Sequence, residues 1–259
     1  MKQPLYLGSR AVVRLDDGPS LVVKVVKKIP CRFPLARISR IVMFASTNFS
    51  SLVIKACMKA KISMVWRATN GVYLASFNPL SVGETLWTER ITDLLSQRGW
   101  KNRYRNWLNA QHHLAMVSLA RQLRIVYEPR REKEWLNRLF HHYSIRRQWA
   151  ECLLQMWRTM AISAVIEYWL VLEVPPEIMQ IPSRGWKLTE DMADCLALDM
   201  LVVLINDADK WRKLRGADKD TVNFMVVQAF ERRRKRQMNL LGGLYFRFQR
   251  WILECELCR

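Results

Sequence analysis

The sequence predicts an α+β protein, with a β-rich N-terminal domain followed by an all-α C-terminal domain. Three observations carry this reading. Residues 4 to about 82 form short runs rich in β-branched and aromatic residues, separated by turn chemistry. From Glu84 onward the apolar residues recur at helical spacing with few prolines. Between the two lies Asn78-Pro79-Leu80-Ser81-Val82-Gly83, where proline, glycine and serine together mark a boundary. The domains are therefore 1–82 and 83–259.

In chain order, Tyr6 to Val13 alternates with period two and reads as a strand. Asp16-Asp17-Gly18-Pro19 is a hairpin signal ahead of a second strand, Leu21 to Val26. Ile41 to Phe44, Ile62 to Trp66 and Val72 to Phe77 complete the strand set. Asn70-Gly71 stands between the last two as the pair that type I′ turns favour. One helix interrupts the strands at Ser50 to Lys59, where Leu52, Val53, Ile54, Cys57 and Met58 make a broad apolar face and Ser51 is placed to cap the start. The second half reads as helices at about 84–98, 102–125, 130–142, 148–173, 188–208 and 218–254, with Pro175-Pro176 and Gly185 as breakers. No internal repeat of solenoid length is visible.

Charge narrows the function. The 259 residues carry 42 Lys and Arg against 23 Asp and Glu, a formal net charge of +19, while half are hydrophobic and fill a core. A folded protein this basic gains affinity for a polyanion by releasing its counterions, and duplex DNA is the densest line of such charge. An anionic membrane is disfavoured, because the longest apolar runs, such as Met200 to Ile205, are too short to cross a bilayer. No signal peptide is recognisable, so the expected setting is cytoplasmic.

The basic residues cluster at Lys101/Arg103/Arg105, Arg130/Arg131/Lys133, Arg146/Arg147, Lys210/Arg212/Lys213/Arg215 and Arg232 to Arg236. A single cluster is as readily a solvated helix face as a phosphate contact, and five together favour phosphate. Trp100, Tyr104, Trp107, Trp135, Trp149 and Trp211 sit among them and read as core. The six cysteines show no disulfide spacing, and Cys255-x-x-Cys258 lacks a second pair to close a zinc tetrahedron.

The run Val165-Ile-Glu-Tyr-Trp-Leu-Val-Leu-Glu-Val-Pro-Pro-Glu-Ile, then Gly185, Asp191-Met-Ala-Asp194 and Leu198-Asp199, resembles the core of the helical domain of the CRISPR-associated Cas1 integrases. The strand Ile38 to Phe44, the helix and Asn70-Gly71 turn after it, and Glu128-x-Arg130 keep that family's order. The nearest likeness is to the subtype whose Cas2 partner is fused to Cas3. The resemblance implies a protein that binds short duplex DNA with single-stranded ends and inserts it into the repeat DNA of a CRISPR array by metal-dependent transesterification. It also implies a homodimer paired through domain 1–82, with two such dimers flanking Cas2.

In that family a glutamate, a histidine and an aspartate hold one Mg2+ or Mn2+. A hard cation held by carboxylates neutralises charge building on phosphate oxygens. Carried over, the glutamate falls on Glu128, with Glu132, Glu134 and Glu167 as substitutes. The aspartate falls on Asp194, one helical turn after Asp191, so the implied catalytic set is Glu128, Asp191 and Asp194 and the implied metal ligands are Glu128 and Asp194. The bland reading of Asp191 and Asp194 is an acidic first turn that complements the helix dipole. The family's histidine falls on Pro182, which cannot ligate. His112, His113, His141 and His142 lie on earlier helices and read as solvent-facing or packing residues.

Three functions stand at this point: a working integrase subunit, a non-catalytic architectural subunit of the same family, and a basic helical module that binds RNA. The expected phosphate contacts are Arg130, Arg131, Arg146, Arg147, Lys210, Arg212, Arg232 and Arg233.

Overall fold

The computed structural model describes residues 2–16, 18–26, 28–79, 86–175 and 178–257. Asp17 of the first hairpin, residues 80–85 around the expected boundary, Pro176 and Cys258 lie outside these residues. The α+β order holds. A strand-rich lobe comes first, followed by helices.

The N-terminal lobe has two four-stranded sheets. One has the order β1 (Gln3–Tyr6), β5 (Ile38–Phe44), β7 (Ser63–Arg67), β8 (Tyr73–Phe77), and the other the order β4 (Cys31–Pro34), β3 (Ser20–Lys24), β2 (Val12–Leu15), β6 (Asn48–Phe49). Strands β5 and β7 are parallel and joined by helix α1 (Ser51–Lys59), a crossover that a parallel pair requires. Strand β5 is buried along almost its whole length, because one face meets the strand-lobe core and the other meets the helical lobe. That explains its unbroken run Ile-Val-Met-Phe, as a strand covered on both faces reads continuously rather than alternately.

Four local expectations need correction. Tyr6 to Val13 is not one strand: Tyr6 ends β1 in the first sheet and Val12 begins β2 in the second, with Arg10 at φ 63° making the bend. The cap position of α1 is Ser50, and its side chain makes no capping bond. The Asn70-Gly71 turn is not type I′, since only Gly71 has positive φ (87°). Gly71 N–H donates to the carbonyl of Ala68 and Ala68 N–H to the carbonyl of Val72, the pattern of a type I turn closed by a left-handed glycine. Finally, β4 and β6 are additional strands. Strand β4 contains a proline and pairs with β3 alone, and β6 is two residues long, so neither carries a pattern to read.

The helical lobe contains α2 (Leu86–Ser96), α3 (Trp100–Leu123), α4 (Glu132–His142), α5 (Arg147–Val171), α6 (Leu188–Asp199), α7 (Leu201–Asn206), α8 (Ala208–Leu214), α9 (Lys219–Arg232) and α10 (Arg234–Leu257). Helix α5 is its axle. From Thr159 to Ile166 every residue is buried, which is the pattern of a helix surrounded on all sides. The expected helix 188–208 is broken at Met200 and Asp207, and 218–254 is broken at Arg233. Trp100, Tyr104, Trp107, Trp135 and Trp211 are core, as expected, and Trp149 packs against it.

The lobes are joined by a buried ion network. Arg40 on β5, 1% exposed, bonds Glu167 of α5, and its Nη2 lies 3.4 Å from Glu231 of α9 and 3.2 Å from the Tyr6 hydroxyl. Tyr6 donates to Glu231 at 2.6 Å, and Arg234 reaches Glu167 at 3.3 Å. Beside it, the β7–β8 turn presses on α5. The Thr159 hydroxyl donates to the carbonyl of Gly71, and a Cβ on Gly71 would meet Met156 at 2.3 Å.

Candidate nucleic-acid interface and acidic cluster

Two charged features stand out on the helical lobe. The first is a basic ridge. Trp149, in the first turn of α5, donates its indole N–H to the carbonyl of Trp211 at 2.9 Å, tying that turn to α8. His142 to Ser144 just before α5 and Lys210 and Arg212 of α8 then line one open cleft of about 520 Å3. Lys210 in turn shares a cavity of about 160 Å3 with Arg232 and Arg233 at the end of α9. Two of the expected basic clusters, from α8 and α9, are therefore side by side, with Asp207 and Asp209 in the same linings, while Arg146 and Arg147 follow Ser144 by two and three residues in the chain.

The eight expected phosphate contacts divide by their partners. Arg130, Arg146, Lys210 and Arg232 are exposed and enter no ion pair among the described residues. Arg131 pairs with Glu134 at 3.9 Å, Arg147 with Glu151 at 2.7 Å, and Arg212 with Asp209 one turn before it. These three pairs are solvent-exposed, where such a pair contributes little and exchanges readily for a phosphate. Arg233 is different and is a correction. Its guanidinium holds Asp199 at 2.7 Å and Gln122 at 2.9 Å, while Arg236 holds the other oxygen of Asp199 at 2.8 Å. Asp199 is buried, so Arg233 is a strut between α3, α6 and the α9–α10 break rather than a free cation.

The second feature is acidic. Glu190, Asp191 and Asp194 occupy the first turns of α6, so Asp191 and Asp194 do share a helix face. Every one of them already has a protein partner. Arg158, from the axle helix, bonds Asp194 through Nε and, at 3.5 Å, through Nη2; the same Nη2 donates to Glu190 at 2.9 Å. The Gln180 amide donates to the other oxygen of Glu190 at 2.8 Å, and the Tyr104 hydroxyl donates to Asp191. Burial pushes the carboxyl pKa values of Asp191 and Asp194 up, and burial with Asp191 beside it holds the proton on Tyr104.

Asp194 and Arg158 face an open cavity of about 430 Å3, together with His112, Glu151 and Gln155. His112 thus lies beside the acidic turn, a neighbourhood its position on an earlier helix does not reveal. Its Nδ1 lies 3.6 Å from Glu132, which also accepts from Tyr127 at 2.7 Å. Glu128 pairs instead with Arg138 at 2.7 Å on the exposed start of the α4 region, and the carboxylate beside His112 is Glu132, one of the substitutes. Pro182 opens a short 3-10 turn, Pro182–Arg184, inside the Ile181–Trp186 bridge.

The residues do not fit a divalent metal. No group of three or more His, Cys, Asp or Glu suited to hold one exists among the described residues. A guanidinium already lies between the two carboxylates that converge. Sequence reading missed Arg158, although a lone cation within Met156-Trp157-Arg158-Thr159-Met160 is the signal, since a charge on an apolar helix needs a partner.

Fold and ridge together define a two-lobed α+β protein whose helical lobe is polarised toward polyanions. The chain belongs to the CRISPR associated protein Cas1 family, whose profile matches residues 5–134, half of its length. Among solved structures it is similar to a CAS1 protein from Thermotoga maritima, with a TM-score of 0.70 at 9% identity, covering 94% of this chain and 95% of that one. It is similar also to a casposase bound to its integration product (TM-score 0.63, 12% identity, covering 90% and 82%) and to TtCas1 in a complex with DNA (0.59, 14%, covering 95% and 91%). A Cas6-RT-Cas1–Cas2 complex matches with a TM-score of 0.56 at 11% identity, over 93% of this chain and 35% of the other. These likenesses are likenesses of fold. A search of the curated proteins by sequence finds no match. No helix among the described residues is long and apolar enough to cross a membrane.

Proposed function

We propose that the protein is a DNA-binding architectural subunit of CRISPR adaptation, contributing shape and positive charge to a Cas1–Cas2 assembly rather than strand transfer of its own. One observation carries this: Arg146, Lys210 and Arg232 are exposed and enter no ion pair among the described residues, whereas Asp194, the carboxylate carried over from the family's metal site, is bound internally by Arg158, which also holds Glu190. Family membership supports the CRISPR setting. The DNA in the casposase and TtCas1 structures and the Cas2 in the Cas6-RT-Cas1–Cas2 complex support the choice of partners. The ligands proposed are duplex DNA with single-stranded ends and CRISPR repeat DNA, bound through phosphate contacts by a homodimer that docks on Cas2, including a Cas2 fused to Cas3.

Two measurements test the reading. Purified protein is titrated with duplex DNA bearing single-stranded ends, plain duplex and structured RNA over a salt series. DNA affinity should fall steeply with salt and exceed that for RNA. The protein is then incubated with Cas2, repeat DNA and Mg2+ or Mn2+. Joined product would establish the integrase reading in place of this one, and preference for RNA would establish the third.

A further inference from the structure

We propose that Arg158 is the resident cation of the acidic cluster: its guanidinium occupies Asp194, the carboxylate that the family resemblance assigns to the divalent ion, together with Glu190 beside it, and keeps such an ion out. The inference deepens the architectural reading, but its test uses metal binding in the absence of DNA, so the two can fail separately.

The argument is one of convergence. Two carboxylates from successive turns of α6, Glu190 and Asp194, both address a single nitrogen, Nη2 of Arg158, at 2.9 and 3.5 Å. Two acidic groups aimed at one point is the arrangement that holds a hard cation, and here the point is occupied by a positive group of the chain itself. Arg158 is well placed to stay. It projects from the middle of the axle helix, whose next residue, Thr159, is fastened to the Gly71 carbonyl. Its fork meets Asp194 through two nitrogens, a geometry that a planar guanidinium holds better than a point charge does.

Electrostatics makes the exclusion strong. A divalent ion sharing two carboxylates with a guanidinium a few ångströms away meets like-charge repulsion that is screened less at a partly buried site than in bulk water. The remaining oxygens offer no substitute, since Gln180 takes the second oxygen of Glu190 and Tyr104 donates to Asp191. The cluster therefore keeps α5 and α6 in register with no dependence on Mg2+ or Mn2+. Removing the guanidinium leaves Asp194 facing a water-accessible cavity of about 430 Å3, with Glu190 one turn away on the same helix, and water can complete an octahedral shell there.

The test is Mn2+ binding to the full-length protein without DNA, followed by calorimetry and by the electron paramagnetic resonance signal of free Mn2+. Wild type should show no saturable site at the cluster and no change of melting temperature with EDTA. Arg158→Ala should bind Mn2+ at least about tenfold more tightly than wild type, a minimum for relief of repulsion at this range. The double variant Arg158→Ala/Asp194→Asn should lose that site. A wild-type Mn2+ site abolished by Asp194→Asn would overturn the proposal, and so would a folded Arg158→Ala that binds none. Should Arg158→Ala not fold, the wild-type arm still decides, and Arg158→Lys, which keeps a cation there, should match wild type.

Discussion

Arg67 shows what a single buried charge does to this fold. It is 2% exposed at the end of β7, packs its guanidinium over Phe44 at 4.3 Å, and has no hydrogen-bond partner for Nε or Nη1 among the described residues. Burial lowers its pKa to about 10. A cation–π contact recovers only part of the desolvation cost. Arg67→Met keeps the length and removes the charge, so it should stabilise the protein by about 1–3 kcal/mol in denaturant melts.

Asp191 is a second case, with a sign that depends on pH. Its folded-state pKa is raised, chiefly by burial, so between the ordinary carboxylate value and the raised one the native state holds more protons than the unfolded chain, and stability falls as pH rises through that window. Asp191→Asn, whose carbonyl still accepts from Tyr104, removes this slope. It should gain on wild type as pH rises from about 4 to neutrality. Parallel melts of the two proteins across that range check it.

At the scale of elements, the junction of the lobes is electrostatic as well as apolar. Arg40, Glu167, Glu231, Arg234 and Tyr6 bring β1, β5, α5, α9 and α10 to one point. Glu167→Ala leaves Arg40 buried with Glu231 alone and should cost about 3–5 kcal/mol, read as a lower unfolding midpoint. Replacing Arg40 and Glu167 together by methionine should cost less than Glu167→Ala, because the uncompensated charge is gone.

The elements were largely legible from local pattern where the pattern was strong. The helix read at Ser50 to Lys59, the strand read at Ile41 to Phe44 and the long apolar helix read at 148–173 announce themselves by period and composition, each falling within three residues of α1, β5 and α5. What was illegible is set by tertiary partners. Helix 218–254 breaks at Arg233, where the chain turns its guanidinium to Asp199, a residue 34 positions away. The acidic pair Asp191 and Asp194 was found from its spacing, but His112 and Arg158 come from two other helices that only packing brings to the cavity at Asp194, and Glu132 from a third reaches His112.

Across the whole molecule, the +19 charge is not spread evenly over free groups. Part of it is neutralised inside the protein, with Arg40, Arg158, Arg233 and Arg236 all held by carboxylates, and the exposed remainder includes Arg146, Lys210 and Arg232 on the ridge as well as cations on the strand-rich lobe such as Lys24, Lys55 and Lys59. Lys210→Glu with Arg232→Glu should weaken binding of every duplex to a similar degree and reduce the salt slope by about 1 for each phosphate no longer neutralised. Arg233→Ala should act instead through stability, with the slope unchanged. Equilibrium anisotropy at several salt concentrations separates the two.

The seating of Gly71 against Met156 has a reach beyond its own turn. Because that hairpin tip is wedged against Met156, two residues before Arg158 on the same helix, any side chain at position 71 would have to displace the helix that carries the internal counter-charge.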